Sequence, residues 1–333
     1  MQALAVQSTL TKLGLVGCEG LGDAGATGLG RAIKANTKLT DLDLGCCKGI
    51  TDAGWPNVMQ ALAVQSALTK LRLYSCEGLG DAGATGLGRA TLTALDLRDS
   101  GLSEAGAAEV VKALAVNTTL TSLDFNSKAV GDAGATGLGR AIKANTTLKR
   151  LNLSSWSKVG GAGWTEVIKA LAVNATLEHL DLGHNTIGDA VATGLKQVLT
   201  ANTTLTDLGL VYCKGVSTAG ASHVMQALAV NTTVQSLNLH GWEVIDHAVA
   251  LEMTKALTAN VALTSLSLYS CEGIDDTVAL DMIKMLGVNT SLTNLSQGDT
   301  GITDQTHLSQ IEEALRHNKA EATRKVQVPN AQP

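Results

Sequence analysis

Residues 39–62 read LTDLDLGCCKGITDAGWPNVMQAL, and this stretch decides the fold. Its first half alternates apolar and polar residues around Leu42, which is the pattern of a short strand with one buried face. Its second half repeats small or apolar residues at every fourth position, which places them on one face of a helix. The residues with this helical spacing are Ile50, Gly54, Val58 and Leu62. The stretch therefore predicts one strand followed by one helix.

The same strand motif returns along the chain at nearly constant intervals. The pattern LxxLxLxxC starts at Leu10, Leu39 and Leu68, and looser copies start at Leu92, Leu120, Leu148, Leu177, Leu205, Val234, Leu263 and Leu292. The intervals are 28 or 29 residues, except for one of 24 between Leu68 and Leu92. Because a single strand–helix unit cannot bury its apolar side alone, the eleven units must stack and share one core.

These units resemble the leucine-rich repeat family over roughly residues 2–318. The unit length and the junction ALAVNTTLTSLDF at 113–125 resemble the ribonuclease-inhibitor-like subtype. The segment GCCKGITDAG at 45–54 also resembles the cysteine-containing subtype. The resemblance implies an α/β solenoid shaped like a horseshoe, with a parallel β-sheet on the concave face and α-helices on the convex face.

The repeats also predict the domain organisation. We expect one leucine-rich repeat domain over residues 1–318, with about eleven units of 28–29 residues, and a polar C-terminal tail over 319–333. One short unit near residues 82–92 lacks five residues, which predicts a gap in the helical layer near 88–92. The first helix begins at Met1 without a polar cap, so we expect N-terminal self-association or an upstream domain. Asn at the end of most helices is expected to cap them in the left-handed conformation.

Composition restricts the classes of function. The net charge of −5 argues against a dedicated binder of nucleic acid or of anionic membranes. No apolar run reaches the length of a transmembrane helix, and no secretory signal is visible at the N-terminus. Five of the six cysteines occupy one repeat position, which favours packing thiols over disulfides. We therefore expect a cytoplasmic protein.

Three patterns suggest chemistry, but the repeat explains each of them better. Residues 20–25, GLGDAG, match the dinucleotide pattern GxGxxG, yet Leu21 and Gly25 are the core residue and helix-start glycine of the unit. The cysteine column is a conceivable soft-metal site, but buried thiols commonly act as small apolar side chains. His179 and His184 lie near acidic residues, but strand alternation separates them. We therefore predict no catalytic residue, no cofactor and no metal, and a protein that is not an enzyme.

The outward strand positions give the most useful functional signal. They are charged with mixed sign in the N-terminal half and neutral or aromatic in the C-terminal half. Aromatic and Arg side chains are enriched where interfaces gain most of their binding energy. The predicted protein-binding residues are Arg72, Tyr74, Arg98, Tyr212, His240, Trp242 and Tyr269. Trp55 and Trp164 fall at helix starts and suggest a second contact surface on the outer side.

The sequence therefore predicts a non-enzymatic scaffold for protein–protein interaction that binds a protein partner on the concave face. The resemblance to the ribonuclease-inhibitor-like subtype leaves two alternatives open. One is a regulator, specifically an activator, of a small GTPase. The other is the ligand-sensing repeat fragment of a larger receptor of the innate-immune type.

Overall fold

A computed structural model describes residues 9–64, 67–87 and 90–327. The chain divides into two compact units, unit 1 over residues 1–177 and unit 2 over residues 178–333. In both units each short strand is followed by one helix, as the period of the sequence predicts. The predicted self-association of the N-terminus concerns residues 1–8 above all, and these lie outside the described residues.

The elements of unit 1 alternate strictly in the described residues. They are β1 (Lys12–Gly14), α1 (Asp23–Ala35), β2 (Asp41–Asp43), α2 (Trp55–Leu62), β3 (Lys70–Arg72), α3 (Gly80–Leu87), β4 (Ala94–Asp96), α4 (Glu104–Val116), β5 (Ser122–Asp124), α5 (Asp132–Ala144), β6 (Arg150–Asn152) and α6 (Gly161–Val173).

The elements of unit 2 continue the same order. They are β7 (His179–Asp181), α7 (Gly188–Ala201), β8 (Asp207–Gly209), α8 (Thr218–Leu228), β9 (Ser236–Asn238), α9 (His247–Ala259), β10 (Ser265–Ser267), α10 (Asp276–Leu286), β11 (Asn294–Ser296) and α11 (Gln305–Gln327). Among the helices of the described residues, none has the length and apolarity needed to cross a membrane.

Within each unit, neighbouring strands pair in parallel with a constant register. The central leucine of each strand lies opposite the central leucine of the next, as in Leu42 with Leu71 and Leu208 with Leu237. These leucines point into the core, and nearly all of them are buried. Since side chains alternate across a strand, the residues on either side of each leucine point away from the core. In each unit the strands thus present an ordered, outward face.

The short unit keeps this register. Leu71 of β3 lies opposite Leu95 of β4, so the missing residues fall outside the strands. Helices α2 and α3 have 8 residues each, whereas α4 has 13. An apolar cavity of about 30 Å³ lies beside the end of α3, lined by Leu87, Ala90, Leu92, Val110 and Leu114 among others. The predicted gap spans residues 88 and 89, which lie outside the described residues.

The asparagines that end the helices do not cap them in the left-handed conformation, and this expectation is wrong. Asn289 is 4 % exposed, and Asn260, at the same position, has an extended backbone with φ −75° and ψ 127°. The Oδ1 atom of Asn289 accepts hydrogen bonds from the N–H groups of Ser291 and Leu292. Its Nδ2 donates to the carbonyls of Leu257 and Asn260 in the preceding repeat. The amide side chain therefore joins one repeat to the next.

The C-terminal boundary also differs from the expectation. Helix α11 continues without a break from Gln305 to Gln327, across the predicted boundary at residue 318. Asn318 on this helix is buried and donates to the carbonyls of Asn289 and Leu292, so the helix covers the last repeat. At least residues 319–327 of the predicted polar tail are helical.

Candidate functional site

The candidate site is the strand-side face, formed by the outward strand residues and by the second and third residues that follow each strand. The third of these following residues often has a positive φ, as in Cys46 (58°), His184 (58°) and Tyr212 (49°). This left-handed conformation is uncommon for a residue with a bulky side chain. In unit 2 it turns the rings of His184 and Tyr212 toward their neighbours on the same face.

A row of four rings crosses the strand-side face of unit 2. His184 and Tyr212 have ring centroids 5.3 Å apart, and Tyr212 and His240 lie at 4.7 Å. His240 and Tyr269 follow at 4.8 Å in an edge-to-face arrangement. The two tyrosines are 38 % and 39 % exposed. We call His184, Tyr212, His240 and Tyr269 the ring row; sequence analysis assigned three of its members to the site and missed His184.

A hydrogen bond and two glycine backbones fix the ring row in place. The Tyr212 hydroxyl lies 3.1 Å from Nε2 of His240. A Cβ atom on Gly241 would collide with the Tyr212 ring, and one on Gly298 would lie 2.7 Å from Cε2 of Tyr269. The Asp299 carboxylate next to the Tyr269 hydroxyl raises the pKa of this phenol. The rings are therefore already ordered in the free protein.

The three predicted residues of unit 1 also lie together, but their charges are neutralised within the chain. The Arg72 guanidinium lies 2.9 Å from Asp41 and 3.7 Å from Asp43. Arg98 makes a two-pronged ion pair with Asp96, at 2.9 and 2.6 Å, and the carboxylate raises the pKa of the guanidinium. The same guanidinium lies 5.6 Å from the centroid of the Tyr74 ring, within the range of a cation–π contact.

Asp124 lies beside these residues. Burial raises the pKa of its carboxyl, and the nearby charge of Asp96 adds to this effect. Ser122, Arg98 and Asp124 line an open depression of about 280 Å³ on the face of unit 1.

The structure corrects the prediction for the tryptophans. Trp242 is 0 % exposed, so it cannot touch a partner. It occupies the repeat position of Cys213 and Cys271, whose side chains point inward and donate to backbone carbonyls. Trp55 and Trp164 are equally buried, and the second contact surface predicted on them is therefore wrong as stated.

The cysteine column is a structural ladder. The Sγ atoms of Cys47, Cys76, Cys213 and Cys271 each donate to a carbonyl of the preceding repeat, at 3.1 to 3.3 Å. Burial raises the pKa of Cys76 and of Cys213 to about 12. All six cysteines are free, and Cys46 is half-buried on the strand-side face.

The other sequence patterns that suggested chemistry have structural explanations. A Cβ atom on Gly25 would lie 2.5 Å from the Leu21 side chain, so this glycine of the GLGDAG loop admits a core leucine. His179 pairs with Asp207 at 2.9 Å, whereas His184 belongs to the ring row. Within the described ranges, no three His, Cys, Asp or Glu side chains group together to hold a metal ion.

Comparison with known proteins agrees with this geometry. A family model for the leucine-rich repeat matches residues 35–54, 116–139 and 173–191. The structure of the yeast Rad7–Elc1 complex is similar at a TM-score of 0.63 and 18 % identity, covering 91 % of this chain and 74 % of that one. The fold is that of a leucine-rich repeat solenoid.

A second solved structure aligns at a lower TM-score. An internalin, inlF of Listeria monocytogenes, aligns at a TM-score of 0.49 and 19 % identity, over 92 % of this chain and 86 % of that one. No curated protein matches the sequence. The likeness to leucine-rich repeats therefore concerns the fold, and the ribonuclease-inhibitor-like subtype stays a prediction.

Proposed function

We propose that this leucine-rich repeat chain is a non-enzymatic scaffold that binds a protein partner on its strand-side face. The observation that carries the proposal is the distribution of aromatic rings. The chain has only eight Phe, Trp and Tyr residues. Phe125 and all four tryptophans are fully buried. The three tyrosines, by contrast, all lie on the strand-side face.

A preformed aromatic surface favours binding. Tyrosine offers a large contact area with few rotatable bonds, so its immobilisation costs little entropy. In the ring row, neighbouring rings and the hydrogen bond between Tyr212 and His240 have already removed much of that freedom. Binding is stronger when the contact groups are already ordered in the free protein. Of the predicted site residues, we retain Arg72, Tyr74, Arg98, Tyr212, His240 and Tyr269, and add His184.

The thiols support the proposed compartment. Four of the six cysteines are packed as hydrogen-bond donors to carbonyls, and all six are free. Unpaired thiols persist in a reducing environment, which supports the cytoplasm as the location.

The test is quantitative partner capture from cell lysate with three forms of the chain. The forms are the parent, a strand-side variant with Tyr212→Ala and Tyr269→Ala, and a control with Val230→Ser and Val288→Ser. The two valines are exposed just after the C-terminal ends of α8 and α10, at a different repeat position from the ring row. We expect a partner that binds the parent and the valine control but not the tyrosine variant. A partner that binds the parent and the tyrosine variant but not the valine control would contradict the proposal.

A further inference from the structure

We propose that the ring row of unit 2 receives a basic segment of the partner, with an Arg or Lys side chain lying over the Tyr269 and Tyr212 rings. The inference rests on the proposed function and specifies the chemistry of the partner. Three observations carry it: the exposure of the two tyrosines, the charge around them, and an intramolecular example of the same contact in unit 1.

The first observation is how the tyrosines are presented. The Tyr212 hydroxyl lies within hydrogen-bond distance of His240, and the Asp299 carboxylate is next to the Tyr269 hydroxyl. Both rings are more than a third exposed. A ligand therefore meets ring faces and edges more than free hydroxyl groups. Ring faces carry negative charge density, which attracts cations.

The second observation is the charge of the surroundings. Unit 2 contains sixteen Asp and Glu residues but eight Lys and Arg, a net charge of −8 with neutral histidines. Asp299, Glu243 and Glu272 are exposed in the turns that follow β11, β9 and β10. Lys214 is the corresponding exposed cation after β8. An acidic surround steers basic segments toward the rings and repels nucleic acid, which is the other common ligand of exposed aromatic rows.

The third observation comes from the repeat itself. Tyr74 and Tyr269 occupy the same repeat position. In unit 1 the next repeat supplies Arg98, which lies over Tyr74 while a carboxylate, Asp96, holds its guanidinium. In unit 2 the residue at the Arg98 position is Gly298, and the nearby carboxylate is Asp299. Unit 2 therefore offers a ring and a carboxylate, and a partner's side chain would supply the guanidinium or ammonium group.

The experiment selects peptides from a random 12-residue phage-display library on the full chain and then measures the affinity of the selected synthetic peptides. We expect enrichment of Arg and Lys and depletion of Asp and Glu. Tyr269→Ala should weaken binding about tenfold, whereas Tyr269→Phe keeps the ring and should stay within about threefold. Asp299→Asn should weaken binding and reduce its salt dependence. Val230→Ser is the matched surface control and should bind like the parent.

The outcomes separate this inference from the proposed function. Neutral or acidic peptides that depend on Tyr269 would overturn the inference and leave the scaffold proposal standing. A 12-nucleotide single-stranded RNA that binds more tightly than the peptides, and whose binding is weakened by Tyr269→Ala, would also overturn the inference and leave the scaffold proposal standing. If binding of every selected peptide is unaffected by Tyr212→Ala and Tyr269→Ala in folded protein, both proposals fail. Circular dichroism of each variant confirms that it is folded.

Discussion

The Tyr212 hydroxyl and Nε2 of His240 lie 3.1 Å apart, and their ring centroids are separated by 4.7 Å. Two residues 28 positions apart in the sequence are thus fixed against each other by the repeat. The contact depends on the left-handed backbone of Tyr212 and on glycine at position 241, where a side chain would collide with the Tyr212 ring. The most specific feature of the face therefore depends on backbone geometry as much as on side-chain identity.

Displacing a ring without removing it should weaken partner binding. In Gly298→Ala the new Cβ atom would lie 2.7 Å from Cε2 of Tyr269, so the ring must move. We expect about fivefold weaker binding of a selected peptide, with a change in unfolding free energy of less than about 1 kcal/mol. Gly14→Ala is the control, because nothing lies within 4 Å of its new Cβ atom. Equal affinities of the two variants would show that the Tyr269 position does not matter.

The buried asparagines that join one repeat to the next, here called the asparagine ladder, should make a large contribution to the stability of the array. Asn289→Ala removes four hydrogen bonds and leaves buried backbone groups without these partners. We expect a loss of about 3 kcal/mol in the free energy of unfolding, measured by urea denaturation. Asn294→Ala is the matched control, since Asn294 is exposed and its side chain makes a 3.4 Å bond to Thr293. Similar losses in both variants would refute the role of the ladder.

Two buried tryptophans should differ in their response to the same substitution. Trp156 Nε1 donates to the Phe125 carbonyl at 2.6 Å, whereas Trp242 Nε1 is buried without a hydrogen-bond partner. Trp156→Phe therefore leaves the Phe125 carbonyl without this hydrogen bond. Trp242→Phe removes an indole N–H that had no hydrogen-bond partner. We expect Trp156→Phe to cost about 2 kcal/mol more in unfolding free energy. A larger cost for Trp242→Phe would contradict this account of the two indoles.

Thiol alkylation should follow burial. With a pKa of about 12, Cys76 and Cys213 hold a negligible fraction of thiolate at pH 8, and the thiolate is the reactive form. Labelling with iodoacetamide and mass spectrometry should modify half-buried Cys18 and Cys46 first. Cys76 and Cys213 should react at least ~100-fold more slowly until the pH approaches 12 or the chain unfolds. Comparable rates at Cys46 and Cys213 in folded protein would exclude the buried ladder.

The sequence was sufficient for the fold because one pattern repeats eleven times. The register of Leu42 with Leu71 follows from the period, since a slip by one residue would expose every core leucine. One wrong prediction was Trp242, which looked like an interface residue because tryptophan is common at interfaces. Its repeat position, shared with the inward-pointing Cys213 and Cys271, was the signal that it is buried. Position within the repeat was more informative here than residue type.

The ring row was harder to predict for a physical reason. Tyr212, His240 and Tyr269 stand out in a chain with few aromatics, but His184 does not. Its side chain joins the row only because residue 184 has a positive φ. Glycine at this position in two repeats, Gly17 and Gly241, is the one sequence signal for the left-handed conformation, and the other repeats hold Cys, Ser, Asp, His or Tyr there. The sequence also does not indicate that Arg72 pairs with Asp41 and Asp43, or that Arg98 pairs with Asp96.

Hydroxyl-radical footprinting of the chain, free and bound to a captured partner, tests the central claim most directly. It reports side-chain accessibility at the tyrosines and at exposed Leu280 on α10 in one measurement. We predict that Tyr212 and Tyr269 become several-fold less reactive in the complex while Leu280 is unchanged. Unchanged reactivity of both tyrosines together with protection of Leu280 would contradict the claim that the strand-side face binds the partner.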